Sequence, residues 1–293
     1  MSVLDKLDLT RKVAIVTGAG RGLGRAMALA LADAGADLVV TARTHAQIEE
    51  TADLVRAKGR DALWVACDVT DSSSVRAMID AAIADYGRID ILVNNAGGAT
   101  PGMQNTLTEI DDNQWRVGID TNLTGAMYCT RAAIPYMLEA GHGKIINVTS
   151  GFGLRAGRDN FMYTSAKAGL INFTRSLAMT YAPQVQANLI APGLFPHDNP
   201  AMIEWWRGGK FTPMGRLGKD EELGPLVVFL ASGLTSYMNG QVIVLDGGGL
   251  AGGHAPTGFA PVVPLPPALS PAPGGAEGPA LSPAPDGVEG EEA

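Results

Sequence analysis

Apolar and polar positions follow two alternating periods along the chain. Short β-branched and apolar runs at Val13–Thr17, Leu38–Thr41, Ala62–Ala66 and Ile89–Val93 read as strands, and Lys144–Val148, Val185–Ile190 and Val242–Leu245 continue the series. Between the first four lie segments with helical spacing, Leu23–Ala34, Gln47–Lys58 and Ser73–Tyr86, and further helical stretches separate the later strands. Strands joined through helices predict right-handed βαβ units in a mostly parallel sheet. The near-continuous apolar character of the strands suits a sheet covered on both faces. The expected class is therefore α/β, with a doubly wound parallel sheet and helices on both sides.

The pattern stops near residue 250, and composition changes with it. Ten of the 18 prolines lie beyond that point. Two similar segments stand in tandem there, Ala268–Gly278 (ALSPAPGGAEG) and Ala280–Gly290 (ALSPAPDGVEG). Such a segment buries too little apolar surface to offset its ordering entropy. The division expected is a folded domain over residues 1–254 and a disordered, acidic Pro/Ala/Gly-rich tail over 255–293, with a docking or polyproline ligand as the functional alternative for the tail.

Charge and cysteine content narrow the function classes. The formal net charge is −8, but residues 251–293 hold five acids and no Lys or Arg, so the rest carries about −3. No basic surplus points to nucleic acid. Two cysteines, Cys67 and Cys129, make no disulfide framework and fit a reduced setting. The N-terminal MSVLDKLDLTRK lacks an apolar signal core, and no apolar run approaches the ~18–20 residues that cross a bilayer. A cytoplasmic protein without membrane, nucleic-acid or metal partners is expected.

The first strand runs into Thr17-Gly18-Ala19-Gly20-Arg21-Gly22-Leu23-Gly24, which opens the first helix. Glycines permit a tight turn and let a pyrophosphate approach the main chain, while the helix N-terminus offers free N–H groups and a positive dipole end. A plain glycine-rich turn is the bland alternative, and placement at the first βα junction argues against it. Asp68, ahead of Val69, follows the third strand, where a carboxylate can accept from an adenine amino group or simply start a helix. Asn94-Asn95-Ala96-Gly97 follows the fourth, where amides can bond the backbone and a cofactor ribose. The second strand ends Thr41-Ala42-Arg43-Thr44. An acid there would bond a ribose 2′-hydroxyl, whereas a guanidinium can grip a 2′-phosphate. Arg43, with Arg21 as a second cation, points to NADP(H) over NAD(H).

Tyr163 and Lys167, four apart at the start of a helical stretch, share one helix face. A free phenol has a pKa of about 10, too high for work near neutrality. A nearby ammonium favours the phenolate and brings Tyr163 toward acid–base range. The pair alone is a common surface arrangement. Ser150, at the end of the strand thirteen residues earlier, can hold a substrate oxygen beside Tyr163. Asn122, in Thr121-Asn122-Leu123-Thr124-Gly125, can steady a water near Lys167.

On these residues the chain resembles the short-chain dehydrogenase/reductase family across about residues 8–250. The Thr-Gly-x-x-x-Gly-x-Gly turn at 17–24, Asn94–Gly97, the Asn122/Ser150/Tyr163/Lys167 tetrad, Asn188 to Gly193 (NLIAPG), and the 215–248 segment ending Asp246-Gly247-Gly248 carry the resemblance. It is nearest to reductases of the 3-oxoacyl-carrier-protein type, a label also attached to relatives with other substrates. The resemblance implies a single Rossmann-type domain, often assembled as a homotetramer. It also implies a cofactor crevice that includes Pro192 and Gly193. Tyr163 would be the acid/base, Lys167 would lower its pKa and bind ribose, Ser150 would orient substrate, and Asn122 would support a proton relay. The family commonly has a Thr shortly after Pro192-Gly193 that touches the nicotinamide amide. Here the segment reads Leu194-Phe195-Pro196-His197-Asp198, so His197 or backbone groups would have to take that contact.

The substrate is expected to be a small carbonyl or alcohol. Met202, Trp205, Trp206 and Phe211 can form an aromatic lid, or pack within a short helix or subunit contact. Phe152, Leu154, Arg155, Arg158, Asn160 and Phe161 lie between Ser150 and Tyr163. Arg155 or Arg158 can bind a substrate carboxylate or phosphate, or make subunit salt bridges. The rival to an enzyme is a non-catalytic, dinucleotide-sensing protein, and the intact tetrad speaks against it.

Overall fold

The computed structural model describes residues 2–197, 203–204 and 212–251. Seven strands, β1 (Val13–Thr17), β2 (Asp37–Ala42), β3 (Ala62–Ala66), β4 (Ile91–Asn94), β5 (Gly143–Val148), β6 (Val185–Pro192) and β7 (Val242–Leu245), form one sheet in the order β3-β2-β1-β4-β5-β6-β7. Every pairing is parallel. The chain winds outward from β1 to β3, then returns to place β4 on the other side of β1. That reversal opens a crevice at the carboxyl ends of β1 and β4, where such sheets bind ligands.

Among the described residues, the helices that flank the sheet are α1 (Gly22–Asp33), α2 (His45–Arg56), α3 (Ser72–Tyr86), α4 (Asp112–Ile119), α5 (Gly125–Glu139), α6 (Phe161–Tyr181) and α7 (Gly224–Ala231). Alternate strand residues face opposite sides of the sheet. Val16, Val40 and Ile146 pack with Met27 and Leu31 of α1, Ile48 of α2 and Leu230 of α7. Their neighbours Ile15, Val39 and Ile145 pack with Met78 of α3, Cys129 and Met137 of α5 and Leu177 of α6. This confirms the doubly wound α/β expectation, and the named elements agree with their predicted bounds within two residues. Among the described residues, no helix is long and apolar enough to cross a membrane.

The fourth strand begins at Ile91 rather than Ile89 because Asp90 belongs to a polar knot at the amino ends of the strands. Its carboxylate accepts from Val13 N–H (3.0 Å), Arg88 (2.6 Å), Lys12 (3.1 Å) and His142 (2.7 Å). Burial alone would raise the Asp90 carboxyl, but these hydrogen bonds outweigh it and hold the group at about 2.

Candidate active site

The glycine turn is shaped by close approach. Gly18 and Gly22 have φ of +65° and +56°, the left-handed region that suits glycine. A Cβ at Gly24 would overlap Gly18 O, and one at Gly18 would stand 3.0 Å from Ala96 Cα. Thr17 Oγ1 accepts from the N–H groups of Asn95 and Ala96, both at 3.0 Å. The Asn95 amide donates to Thr17 O (2.9 Å) and Gly18 O (3.3 Å), so it braces the turn from the β4 side. Gly20 O is taken by Arg25.

The first N–H groups of α1 have no acceptor within the helix, and Arg21 at the N-cap contributes no side-chain cap. A small-residue cradle ending in uncapped amides fits an anionic diphosphate. Arg21 and Arg43 are both exposed beside it. Asp68 is half-buried, and one of its oxygens accepts from Thr70 N–H (3.0 Å) and Oγ (2.8 Å). Val69 is buried where α5 comes closest: a Cβ at Gly125 would stand 2.7 Å from it. At the far side, Gly193 N–H bonds Leu245 O (2.9 Å), and a Cβ there would reach 2.6 Å from Asp246 Cα.

The four catalytic candidates converge. Ser150 follows β5, caps the 3-10 turn Gly151–Gly153 by accepting from Phe152 N–H (3.2 Å), and lies near enough to the Tyr163 phenol to favour its ionised form. Tyr163 lies in the first turn of α6, with Lys167 one turn later. The Lys167 ammonium donates to Val148 O at 3.0 Å and stands 5.6 Å from the Tyr163 ring centroid. Asn122 sits in a π-helical turn, Asp120–Thr124, between α4 and α5; such turns are frequent at functional sites. Its amide donates to Gly98 O (3.0 Å) and Gly118 O (3.1 Å), and its carbonyl accepts from Gly98 N–H (2.8 Å). A Cβ on Gly97 would lie 2.8 Å from Asn122 Oδ1 and 3.3 Å from Lys167 Nζ, so this glycine joins the cofactor crevice to the catalytic cluster.

The electrostatics differ from the expectation that Lys167 draws the phenol down. Burial pushes the Tyr163 phenol up, offset only in part by the nearby Ser150 hydroxyl. Burial also lowers Lys167, to about 8. Helical spacing puts the two on one face, but the packing around them strips water from the ammonium, and desolvation is the larger effect.

Around this cluster, Phe152 meets Tyr163 edge to face (6.5 Å) and Arg155 stacks over Phe152 (5.6 Å). Arg158 pairs with its neighbour Asp159 at 3.4 Å. His197 turns back toward α1, with Nδ1 2.9 Å from Asp220 Oδ1. Asp198, Met202, Trp205, Trp206, Phe211 and the tail at 255–293 lie outside the described residues.

One supporting network was not anticipated. Asn94 donates to Thr130 (3.0 Å) and Asn147 (2.8 Å), Asn147 donates to Thr174 (2.8 Å), and Thr174 donates to Leu170 O (2.7 Å). It ties β4 and β5 to α5 and α6, which fixes the roll of the helix that carries Tyr163. The available signal was Asn147, a polar residue inside an apolar strand.

Comparison with known proteins agrees with this geometry. A family model described as enoyl-(acyl carrier protein) reductase matches residues 18–249. The cis-4-hydroxycyclohexanecarboxylate dehydrogenase of Sinomonas cyclohexanicum is 40% identical over 243 residues, covering 81% of this chain and 96% of that one. The 3-oxoacyl-[acyl-carrier-protein] reductase of Escherichia coli is 36% identical over 241 residues, covering 81% and 96%. The gluconate 5-dehydrogenase of Burkholderia cenocepacia, solved with NADP and tartrate, superposes with a TM-score of 0.78 at 34% identity and covers 85% of this chain and 99% of that one. With this fold and these relatives, the chain belongs to the short-chain dehydrogenase/reductase family of oxidoreductases, which act on alcohols and ketones.

Proposed function

We propose that the chain is an NADP(H)-dependent oxidoreductase that reduces a ketone or oxidises a secondary alcohol, with Tyr163 as the acid/base. The observation that carries this reading is the placement of the Ser150 and Tyr163 hydroxyls together beside the buried ammonium of Lys167, which donates to Val148 O. Two hydroxyls side by side can both donate to one substrate oxygen. A phenol held protonated by burial is the donor that a carbonyl oxygen needs as negative charge develops on it. Lys167 places a desolvated positive charge on the side toward which the phenolate forms. Asn122 spends its amide on Gly98 and Gly118, and so holds the loop that faces Lys167.

The nicotinamide dinucleotide supplies the hydride when bound. Gly18, Gly20, Gly22, Leu23 and Gly24 would seat its diphosphate, with Arg21 and Arg43 on the 2′-phosphate and Asp68 and Val69 about the adenine. Asn95, Ala96, Gly97, Pro192 and Gly193 would line the remaining crevice. No acid stands at Thr41, Ala42 or Arg43 to bond a free 2′-hydroxyl, which supports NADP(H), as does the relative solved with NADP.

Tyr163→Phe should abolish turnover of a ketone panel followed by cofactor absorbance, while NADPH still binds by fluorescence titration. Retained turnover would overturn the acid/base assignment. The reading also takes the working unit to be a cytoplasmic homotetramer whose catalysis resides in residues 1–254. Deleting residues 255–293 should leave kcat/KM unchanged, and light scattering should return four subunits.

A further inference from the structure

The glycine turn is fastened to α2 as well as to β4. The Arg25 guanidinium, in the first turn of α1, is shared among Gly20 O (2.6 Å from Nη2, 3.1 Å from Nε), Gln47 O (3.3 Å) and Glu50 (2.7 Å), and its side chain is 23% exposed. The Thr51 hydroxyl, fully buried, stands 3.0 Å from Ala19 O and 2.9 Å from Gln47 O. Ala19 N–H donates to Thr41 O on β2 at 3.0 Å. Packing agrees with these bonds. A Cβ on Gly20 would lie 2.9 Å from Gln47 Cβ and 3.7 Å from Ala42 Cβ. The turn at Gly20–Arg21 therefore lies against the corner where β2 passes through Arg43 and Thr44 into α2. That corner has little fastening of its own. The last sheet pairing is at Ala42, and Thr44, the N-cap of α2, makes no side-chain cap bond.

We propose that Arg25, with Thr51, is a positioning residue for cofactor discrimination: by tying α2 to the glycine turn it sets the spacing between the main chain at Arg21 and at Arg43, and so lets both cations hold one 2′-phosphate. This rests on the NADP(H) reading above. Arg25 acts through its carbonyl partners and spends its donors on them. Gly20 C=O and Arg21 N–H belong to one planar trans peptide and point opposite ways. Drawing Gly20 O toward Arg25 turns the Arg21 N–H away from it, and that N–H has no acceptor among the described residues. Charge-assisted bonds from two guanidinium groups to one phosphate need both at hydrogen-bond distance. Letting α2 drift by about 1 Å would break one of them. The N–H groups of Gly22, Leu23 and Gly24 belong to α1 itself, the helix that carries Arg25. The diphosphate seat therefore does not depend on the link to α2, and the 2′-phosphate seat does.

The test measures dissociation constants of NADPH and NADH by fluorescence titration of the full chain. Wild type should favour NADPH. Arg25→Met keeps an unbranched apolar stem and removes every donor. It should weaken NADPH about tenfold and NADH by less than about twofold. It also leaves Glu50 unpaired, a carboxylate that would itself repel a 2′-phosphate. The double variant Arg25→Met/Glu50→Gln removes that charge, and the loss of selectivity should persist in it. Recovery of the wild-type ratio would assign the effect to the charge of Glu50 and overturn the positioning role. Thr51→Val has nearly the same shape and no hydroxyl, so it breaks the second fastener. It should shift the ratio the same way by about threefold. Melting temperatures check that each variant folds, and Thr51→Val carries the test if Arg25→Met does not. An equal loss for both cofactors, or no loss, in a folded variant overturns the proposal. A wild type that binds NADH as tightly as NADPH overturns the NADP(H) reading instead, and the proposal with it.

Discussion

Lys167→Met should abolish turnover and at the same time stabilise the protein at neutral pH. The ammonium is 4% exposed and has Val148 O as its acceptor. Burial brings Lys167 from its ordinary 10.5 down to about 8. At about 1.4 kcal/mol per pKa unit, the charged form is disfavoured in the folded chain by roughly 3 kcal/mol. The folded pKa lies below the unfolded one, so the unfolded chain binds more protons between about pH 8 and 10.5. Stability therefore rises with pH through that window, and the full penalty applies below it. Methionine has similar length and no charge, but it leaves Val148 O without its donor, a loss of about 1 kcal/mol. The net gain at pH 7 is about 2 kcal/mol, or roughly 4–8 °C in melting temperature for a domain of this size. Urea denaturation of both proteins at pH 7 and pH 10 measures it. The advantage should vanish at pH 10, where the wild-type lysine is neutral. Lys144, which burial also lowers to about 8, titrates in both proteins and cancels in the difference. A variant less stable than wild type at pH 7, or equally advantaged at both pH values, would refute the reasoning.

Four further outcomes follow from the same geometry. Arg43→Asp should lower kcat/KM with NADPH by about a hundredfold and raise it with NADH, since a carboxylate repels the 2′-phosphate; a wild type that works as well with NADH would sink the role of Arg43. Gly97→Ala puts a methyl 2.8 Å from Asn122 Oδ1 at a φ of +156°, so it should cost about 2 kcal/mol in urea denaturation and lower kcat together. Asp90 is held near 2 against its ordinary 3.8, so it contributes stability above about pH 4 that is lost as pH falls through 2. Asp90→Asn should destabilise at pH 7 by about 1–2 kcal/mol, after discounting for its solvated partners, and should show a shallower acid limb. Arg155→Ala tests whether the guanidinium over Phe152 takes a substrate carboxylate: it should raise KM for keto acids and leave KM for neutral ketones unchanged, and equal KM values for keto acids would refute that role.

Much of this architecture is legible from period alone, because parallel strands buried on both faces are continuous apolar runs with little competing signal. Val13–Thr17, Ala62–Ala66 and Val242–Leu245 agree residue for residue. That Ser150, Tyr163 and Lys167 lie together was legible because Tyr163 and Lys167 share a helix and Ser150 closely follows a strand. What was hidden depends on burial and on contacts far apart in the chain. The spacing of Tyr163 and Lys167 gives proximity but says nothing of hydration, and hydration sets the direction of both pKa shifts. The committed amide of Asn95 and the Asn94–Asn147–Thr174 chain need three-dimensional partners 27 to 78 residues away in sequence. His197 and Asp220, 23 residues apart, carry no periodic signature at all.

These hidden contacts share a chemical logic. The polar side chains at the centre of the site are fastened by neutral groups: Lys167 by Val148 O, Asn122 by Gly98 and Gly118, and Asn95 by Thr17 and Gly18. A carboxylate on Lys167 would have raised its pKa and fixed its proton. A carbonyl orients the ammonium and leaves desolvation unopposed, so the group titrates near 8, within reach of neutral pH. Asp220 is engaged elsewhere, with Oδ1 2.9 Å from His197 Nδ1. Keeping carboxylates off the lysine leaves its charge governed by desolvation, while burial keeps the phenol protonated.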